Sequence, residues 1–149
     1  MFILAAQCPS GWSQHESLCY FFSREKVSWV DAEGFCKAFS AKLAEPRTLS
    51  AANFITGRAQ QLHREYWLGI TDVIMEGEWV YASDQAPITV KYWGGQEPNN
   101  FDVSNCVATY LSVNSRWADD RCSTQLSFVC EMNAKILYGL FSETIVEKS

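Results

Sequence analysis

Tyr66-Trp67-Leu68-Gly69-Ile70 is an apolar run without helical period. It is too short for a helix and has the make-up of a buried strand. Before it the period is 3.6. From Ser28 onward Trp29, Ala32, Cys36 and Phe39 share one face, and Ser28 with Asp31 resembles a capping box. A second helix is expected from Ser50 to Leu62, where Ala51, Phe54, Ile55, Ala59 and Leu62 form a stripe interrupted by Gly57. Earlier still, Cys8-Pro9-Ser10-Gly11-Trp12 and Cys19-Tyr20-Phe21-Phe22 flank a turn signal and read as a hairpin closed by Cys8–Cys19. After the run, strands are expected at Glu78-Trp79-Val80-Tyr81, from Cys106 to Leu111, at Arg116-Trp117 and from Leu126 to Cys130. Residues 82–105 between them have no sustained period and contain Pro87, Gly94, Gly95 and Pro98. A loop of that length in a compact domain is functional or disordered, and cysteine-tied strands on its far side argue for order. Hairpin, helix, helix, strand, long loop, strands describes an α+β domain with its helices first.

The 149 residues fit one domain with a single core. A net charge of -5 and the lack of any run of Lys and Arg argue against nucleic acid or anionic lipid as partners. Six cysteines, the nearest two eight positions apart, suit disulfides better than the tight pairs of a zinc site. Disulfides imply an oxidising compartment, hence a secreted, extracellular protein or an ectodomain. Residues 1–7 lack a basic segment and read as a leader remnant or tail. No stretch reaches the roughly 20 apolar residues that span a bilayer. His15 and His63 stand in no recognisable pattern with a Ser or Cys nucleophile and an orienting acid, so no enzyme is expected.

Three segments within this cysteine frame resemble one family. Trp67-Leu68-Gly69-Ile70 is similar to the W-I-G-L core strand of C-type lectin-like domains. Trp117, five residues before Cys122, is similar to the start of their W-N-D segment, and Glu97-Pro98-Asn99 to their sugar-binding tripeptide. The resemblance covers residues 8–131 and implies the C-type lectin-like fold, with two helices packed on small antiparallel sheets and a long irregular binding loop. It also implies the bridges Cys8–Cys19, Cys36–Cys130 and Cys106–Cys122.

For function the resemblance implies calcium-dependent binding of carbohydrate, with Glu97 and Asn99 touching both ion and sugar across a cis Pro98. Calcium takes about six to eight oxygens. Glu97 and Asn99 offer one each, and after binding metal a carboxylate still accepts, and an amide still donates, a hydrogen bond to a sugar hydroxyl. In the family this tripeptide goes with equatorial 3- and 4-hydroxyls, as in mannose, glucose and N-acetylglucosamine, and so with innate recognition. Asp119 matches the Asp of W-N-D. Ala118 replaces its Asn, and Ser104 replaces an acidic ligand for which Asp102 substitutes if it bends inward. Asp72 and Glu76 are the ligands expected at an accessory calcium site, whose other carboxylates are replaced by Asn100, Ser104 and Asn105. Trp93 and Phe101 flank the tripeptide and are candidates for stacking on a sugar face.

The missing oxygens motivate an alternative, a calcium-independent module of this fold that binds another sugar, a protein or a mineral surface. Trp29, Trp67, Trp79 and Trp117 read as core. Beyond the domain, residues 132–149 place Ile136, Leu137, Leu140, Phe141 and Ile145 at helical spacing. This amphipathic extension is expected to bury its stripe on the domain or on another subunit, making a homo-oligomer whose weak sites act together.

Overall fold

The computed structural model describes residues 4–99 and 103–138 of the chain. Its centre is strand β5 (Tyr66–Thr71), buried at every position. Burial on both faces accounts for an apolar run without alternation. Tyr66, Leu68 and Ile70 face one core with Tyr20, Ile55 and Trp117. Trp67 faces a second core with Trp29, Leu43 and Phe128.

Each core is covered by one helix. Helix α1 (Trp29–Ala38) begins at Ser28, whose hydroxyl accepts the Asp31 N–H at 3.2 Å. It buries Trp29, Ala32 and Cys36 against the second core. Phe39 does not join that face; the helix ends before it, and its ring is half exposed. Helix α2 (Leu49–Leu62) is capped one residue earlier than expected, by Thr48, and lays Ala52, Ile55 and Ala59 on the first core. Gly57 lies on its partly exposed side with open space beside it.

The main sheet runs β2 (Ser13–His15), β3 (Leu18–Phe22), β9 (Ser127–Asn133), β5, β7 (Cys106–Tyr110), β8 (Arg116–Asp120), while β4 (Lys42–Leu43) joins β9 and β6 (Val80–Tyr81) joins β5. The pairs are antiparallel except β5 with β9, so the sheet is mixed. That parallel pair lets β9 carry the chain back through the middle of the sheet, between the hairpin and β5. The disulfides are Cys8–Cys19, Cys36–Cys130 and Cys106–Cys122, the pairs that the resemblance implies.

The ends of the described chain meet. Strand β1 (Leu4–Gln7) pairs antiparallel with β10 (Lys135–Tyr138). Helical spacing at Ile136 and Leu137 was therefore a misleading signal, because this segment is extended and hydrogen-bonded to residues 4–7. Leu140, Phe141 and Ile145 lie outside the described residues.

Candidate functional site

The long loop is fastened to β8. Gly94 N–H donates to the Trp117 carbonyl at 2.8 Å, and Trp117 N–H to that of Tyr92 at 3.1 Å. Gly94 fits closely: a Cβ there would stand 2.5 Å from Cβ of Val113. Val113 belongs to a 3-10 turn, Leu111–Val113. Helix α2 braces the two residues after that turn, Thr56 donating to the Ser115 carbonyl at 2.7 Å and Gln60 to that of Asn114 at 3.0 Å. Glu97 N–H then donates to the Gly94 carbonyl at 2.9 Å. The position of Glu97 is thus set by a series of contacts reaching back to a core helix.

At the loop's end the Glu97–Pro98 peptide is cis. Asn99 donates from Nδ2 to Oε2 of Glu97 at 2.8 Å and from its backbone N–H to Oδ1 of Asp119 at 3.0 Å. The Asp119 N–H reaches Oε1 of Glu97 at 3.4 Å. Two carboxylates and one amide therefore meet at one point, Asp119 being buried and Glu97 half-buried. Partial burial, then the facing Asp119 carboxyl, push the Glu97 carboxyl up to about 7. A donor set of this kind, rich in negative oxygen, fits a hard cation.

The remaining positions contribute unequally. Ala118 is buried opposite Ala108 in β7 and offers no side-chain oxygen. Ser104 is buried. Phe101, Asp102 and Asn100 lie outside the described residues. Among the described residues no group of three or more His, Cys, Asp and Glu converges. Asp72 is buried and accepts the Gly77 N–H at 2.8 Å on Oδ2, clasping its own loop, while Glu76 is exposed. Trp93 is half-buried, edge-on to both Trp79 and Trp117 at 5.1 and 5.9 Å. Both neighbours belong to the first core or pack on it, so Trp93 forms the wall under the loop.

Asp120, adjacent to the site, was not singled out from sequence. It accepts hydrogen bonds from the Tyr110 hydroxyl, from Arg121 N–H at 2.6 Å and from Thr124 at 3.2 Å. The resemblance had already chosen Asp119 over its neighbour; what it did not supply is the set of partners of Asp120. The histidines also bring a surprise. His15 Nε2 lies 2.8 Å from Ser50 Oγ, and that hydroxyl donates to Oε2 of Glu16 at 2.9 Å. Glu16 Oε2 also lies 3.7 Å from His15 Nε2, the same nitrogen that meets the serine, so it does not hold the opposite ring nitrogen, and the imidazole stacks on Phe54. This is not the relay that activates a nucleophile.

Residues 25–132 match the family described as the Lectin C-type domain. Human "C-type lectin domain family 17, member A" is 33% identical over 124 residues, covering 83% of this chain and 32% of that protein. The chain thus spans about a third of that relative's length. A "Perlucin-like protein" of Mytilus galloprovincialis is 28% identical over 127 residues, with 83% of this chain and 81% of that one covered. Among solved structures, the mouse scavenger receptor C-type lectin carbohydrate-recognition domain superposes with a TM-score of 0.81 at 28% identity, over 87% of this chain and 99% of that one. The cow CD23 carbohydrate-recognition domain, solved in the presence of a GlcNAc2Man3 oligosaccharide, gives 0.78 at 28% identity over 88% and 99%. A calcium-independent type II antifreeze protein, 24% identical over 88% and 98% with a TM-score of 0.78, shares the fold.

Proposed function

The chain belongs to the C-type lectin domain family, and from that premise we propose that it binds mannose-type glycans through Glu97 and Asn99, with calcium held against the same residues. The observation that carries this reading is the meeting of Glu97, Asn99 and Asp119 within hydrogen-bond reach of one another. Carboxylate beside amide gives an acceptor next to a donor, the pattern that two adjacent equatorial hydroxyls answer. The CD23 domain solved with a mannose-containing oligosaccharide supports a glycan ligand for this fold.

Glu97, Asn99 and Asp119 are the residues that would hold the ion. Bound there, calcium supplies a positive charge that draws the hydroxyl oxygens of the sugar to the loop. The protein's own part is to fix the loop on β8, keep the acceptor and donor side by side and remove Asp119 from bulk water. With few carboxylates the expected affinity is on the order of 0.1 to 1 mM, the range of extracellular modules. Three disulfides suit a secreted, extracellular setting. Among the described residues no helix is long and apolar enough to cross a membrane.

Thermal melting with calcium or EDTA, each with mannose or galactose, tests the proposal. A ligand that binds only the folded state raises its stability, by about 2.7 kcal/mol at a hundred times Kd. Calcium should raise the melting temperature, mannose should raise it further only with calcium, and galactose should add little. The family pattern further predicts that Glu97→Gln with Asn99→Asp moves preference toward galactose. The methyl of Ala118 in place of an amide favours the second reading, a calcium-independent module for another sugar, a protein or a mineral. An unchanged melting temperature in calcium would select it.

A further inference from the structure

The sequence contains no run of Lys and Arg, yet folding gathers four of its twelve cationic side chains on one face. Two clefts open there, about 460 and 430 Å³, and share Leu62 at the end of α2. Lys26 and Arg64 line the first, Arg24 and Arg58 the second. These residues arrive from the segment between β3 and α1 and from the second half of α2 and its exit, far apart in the chain. None of the four makes an ion pair among the described residues.

Their local bonds leave most of their donors uncommitted. Arg64 spends one N–H on the Arg24 carbonyl at 3.3 Å, and Arg58 one on Gln61 at 2.7 Å, out of five on each guanidinium. Arg58 is steadied over the Phe22 ring at 5.8 Å. Lys26 and Arg24 are exposed. Against these cations stand Glu25 and Glu65, and Glu65 turns Oε2 to the Leu111 N–H at 3.2 Å. His63 also lines the first cleft, with Nδ1 3.2 Å from the Gln60 carbonyl.

The clefts also have apolar walls, Leu62, Leu111 and Leu126 in one and Phe21 and Phe22 in the other. Paired cations above apolar surface suit a ligand whose anionic groups are mounted on sugar rings. The ring faces lie on carbon, and the sulfates or carboxylates meet forked guanidinium donors. Two clefts with a common wall ask for at least two such groups on neighbouring rings. On a protein of net charge -5, a cationic face of this size also orients an approaching polyanion.

We propose that the face formed by Arg24, Lys26, Arg58 and Arg64 is a second carbohydrate site, selective for sulfated or otherwise polyanionic polysaccharide. It shares no residue with Glu97, Asn99 and Asp119, so it works without calcium and alongside a neutral glycan.

The full chain is tested on immobilised heparin in EDTA over a series of NaCl concentrations, with neutral dextran and duplex DNA as comparison probes. Heparin should bind, dextran should not, and log affinity should fall with log salt at a slope near four, about one unit for each cation engaged. Arg24→Ala with Lys26→Ala should reduce that slope by about two, and Arg58→Ala with Arg64→Ala likewise. Lys91→Ala, away from the clefts, should leave it unchanged. Because Arg24 and Lys26 are exposed, their variant stays folded even if loss of Arg58 from Phe22 disturbs α2. Heparin binding that is absent, that requires calcium, or that keeps its slope in the Arg24/Lys26 variant overturns the proposal. DNA binding as tight as heparin overturns the assignment to sugar. None of these outcomes depends on mannose binding, and loss of mannose binding leaves them untouched.

Discussion

The backbone N–H of Asn99 donates to Oδ1 of Asp119 at 3.0 Å, joining the tip of the long loop to β8 twenty residues further on. One carboxylate oxygen thereby orders the main chain of the loop, and the same carboxyl belongs to the proposed ion-binding set. Charge and geometry separate in two variants. Asp119→Ala removes the acceptor and should cost about 1.5 to 3 kcal/mol, the worth of a hydrogen bond to a charged group. It should also weaken calcium-dependent sugar binding at least tenfold, by roughly one 1.4 kcal/mol step. Asp119→Asn keeps an acceptor and should hold its melting temperature near that of the parent while losing the response to calcium. Equal calcium responses in Asp119→Asn and the parent would remove Asp119 from the ligand set.

Gly94→Ala places a methyl 2.5 Å from Cβ of Val113. Overpacking of this kind costs about 1 to 3 kcal/mol. Since the Gly94 carbonyl also holds Glu97, sugar affinity should fall together with stability. Val113→Gly should recover part of both in the double variant, giving a positive coupling in a cycle measured by urea melts. Strict additivity of the two changes would argue against the contact.

Cys106–Cys122 closes a short loop of sequence separation 16 that includes all of β8. Replacing both cysteines by alanine should lower stability by about 3 kcal/mol. The loss of glycan affinity should be larger than for the Cys8–Cys19 pair, which ties the segment before β2 to β3. Comparable losses of affinity for the two pairs would mean that β8 needs no such tether.

Glu131 is buried and accepts the Glu45 N–H at 2.7 Å. Burial raises its carboxyl above the ordinary range, the Glu45 N–H and Lys42 pull it down, and the Glu45 carboxylate raises it again, with a net rise. The folded protein therefore keeps this proton to higher pH than the unfolded chain. The stability it contributes is present below the unfolded carboxylate range and is lost as pH rises through the folded one. Glu131→Gln keeps an oxygen for Glu45 without the charge. It should match or exceed the parent at pH 7 in thermal melts, and the gap should close near pH 4. A variant weaker than the parent at pH 7 and equal to it at pH 4 would reverse the sign.

Most of the fold was legible because its signals are local. The aperiodic run at β5, the 3.6 period of α1 and α2 and the Ser28 cap each need only a few neighbouring residues. Cys8–Cys19 was readable from the turn signal between its two cysteines; the other two pairs were supplied by the resemblance. Nonlocal features escaped for the same reason. The parallel β5–β9 pair depends on where a returning strand is inserted, and the extended pairing of residues 135–138 depends on residues 4–7. Helical spacing at Ile136 and Leu137 carries no information about that partner. At the site, Glu97-Pro98-Asn99 was visible as a motif. Asp119 was picked out by the resemblance, whereas the role of Gly94 as the point where loop meets Val113, and the partners of Asp120, required the folded structure. The cationic face is the extreme case, since its four members come from two segments that no linear window contains.

Pairing Leu4–Gln7 with Lys135–Tyr138 puts both ends of the described chain next to each other, just past the end of β9, which β10 continues. The candidate loop is fastened to β8, an edge strand. Three strand spacings separate β9 from β8, roughly 14 Å at ~4.8 Å each. Leu4 and Tyr138, the first and last of the described residues, are partners in one ladder, so the described domain starts and finishes at one place. Residues 4–138 can thus be inserted into a host protein as a cassette through a single point of attachment.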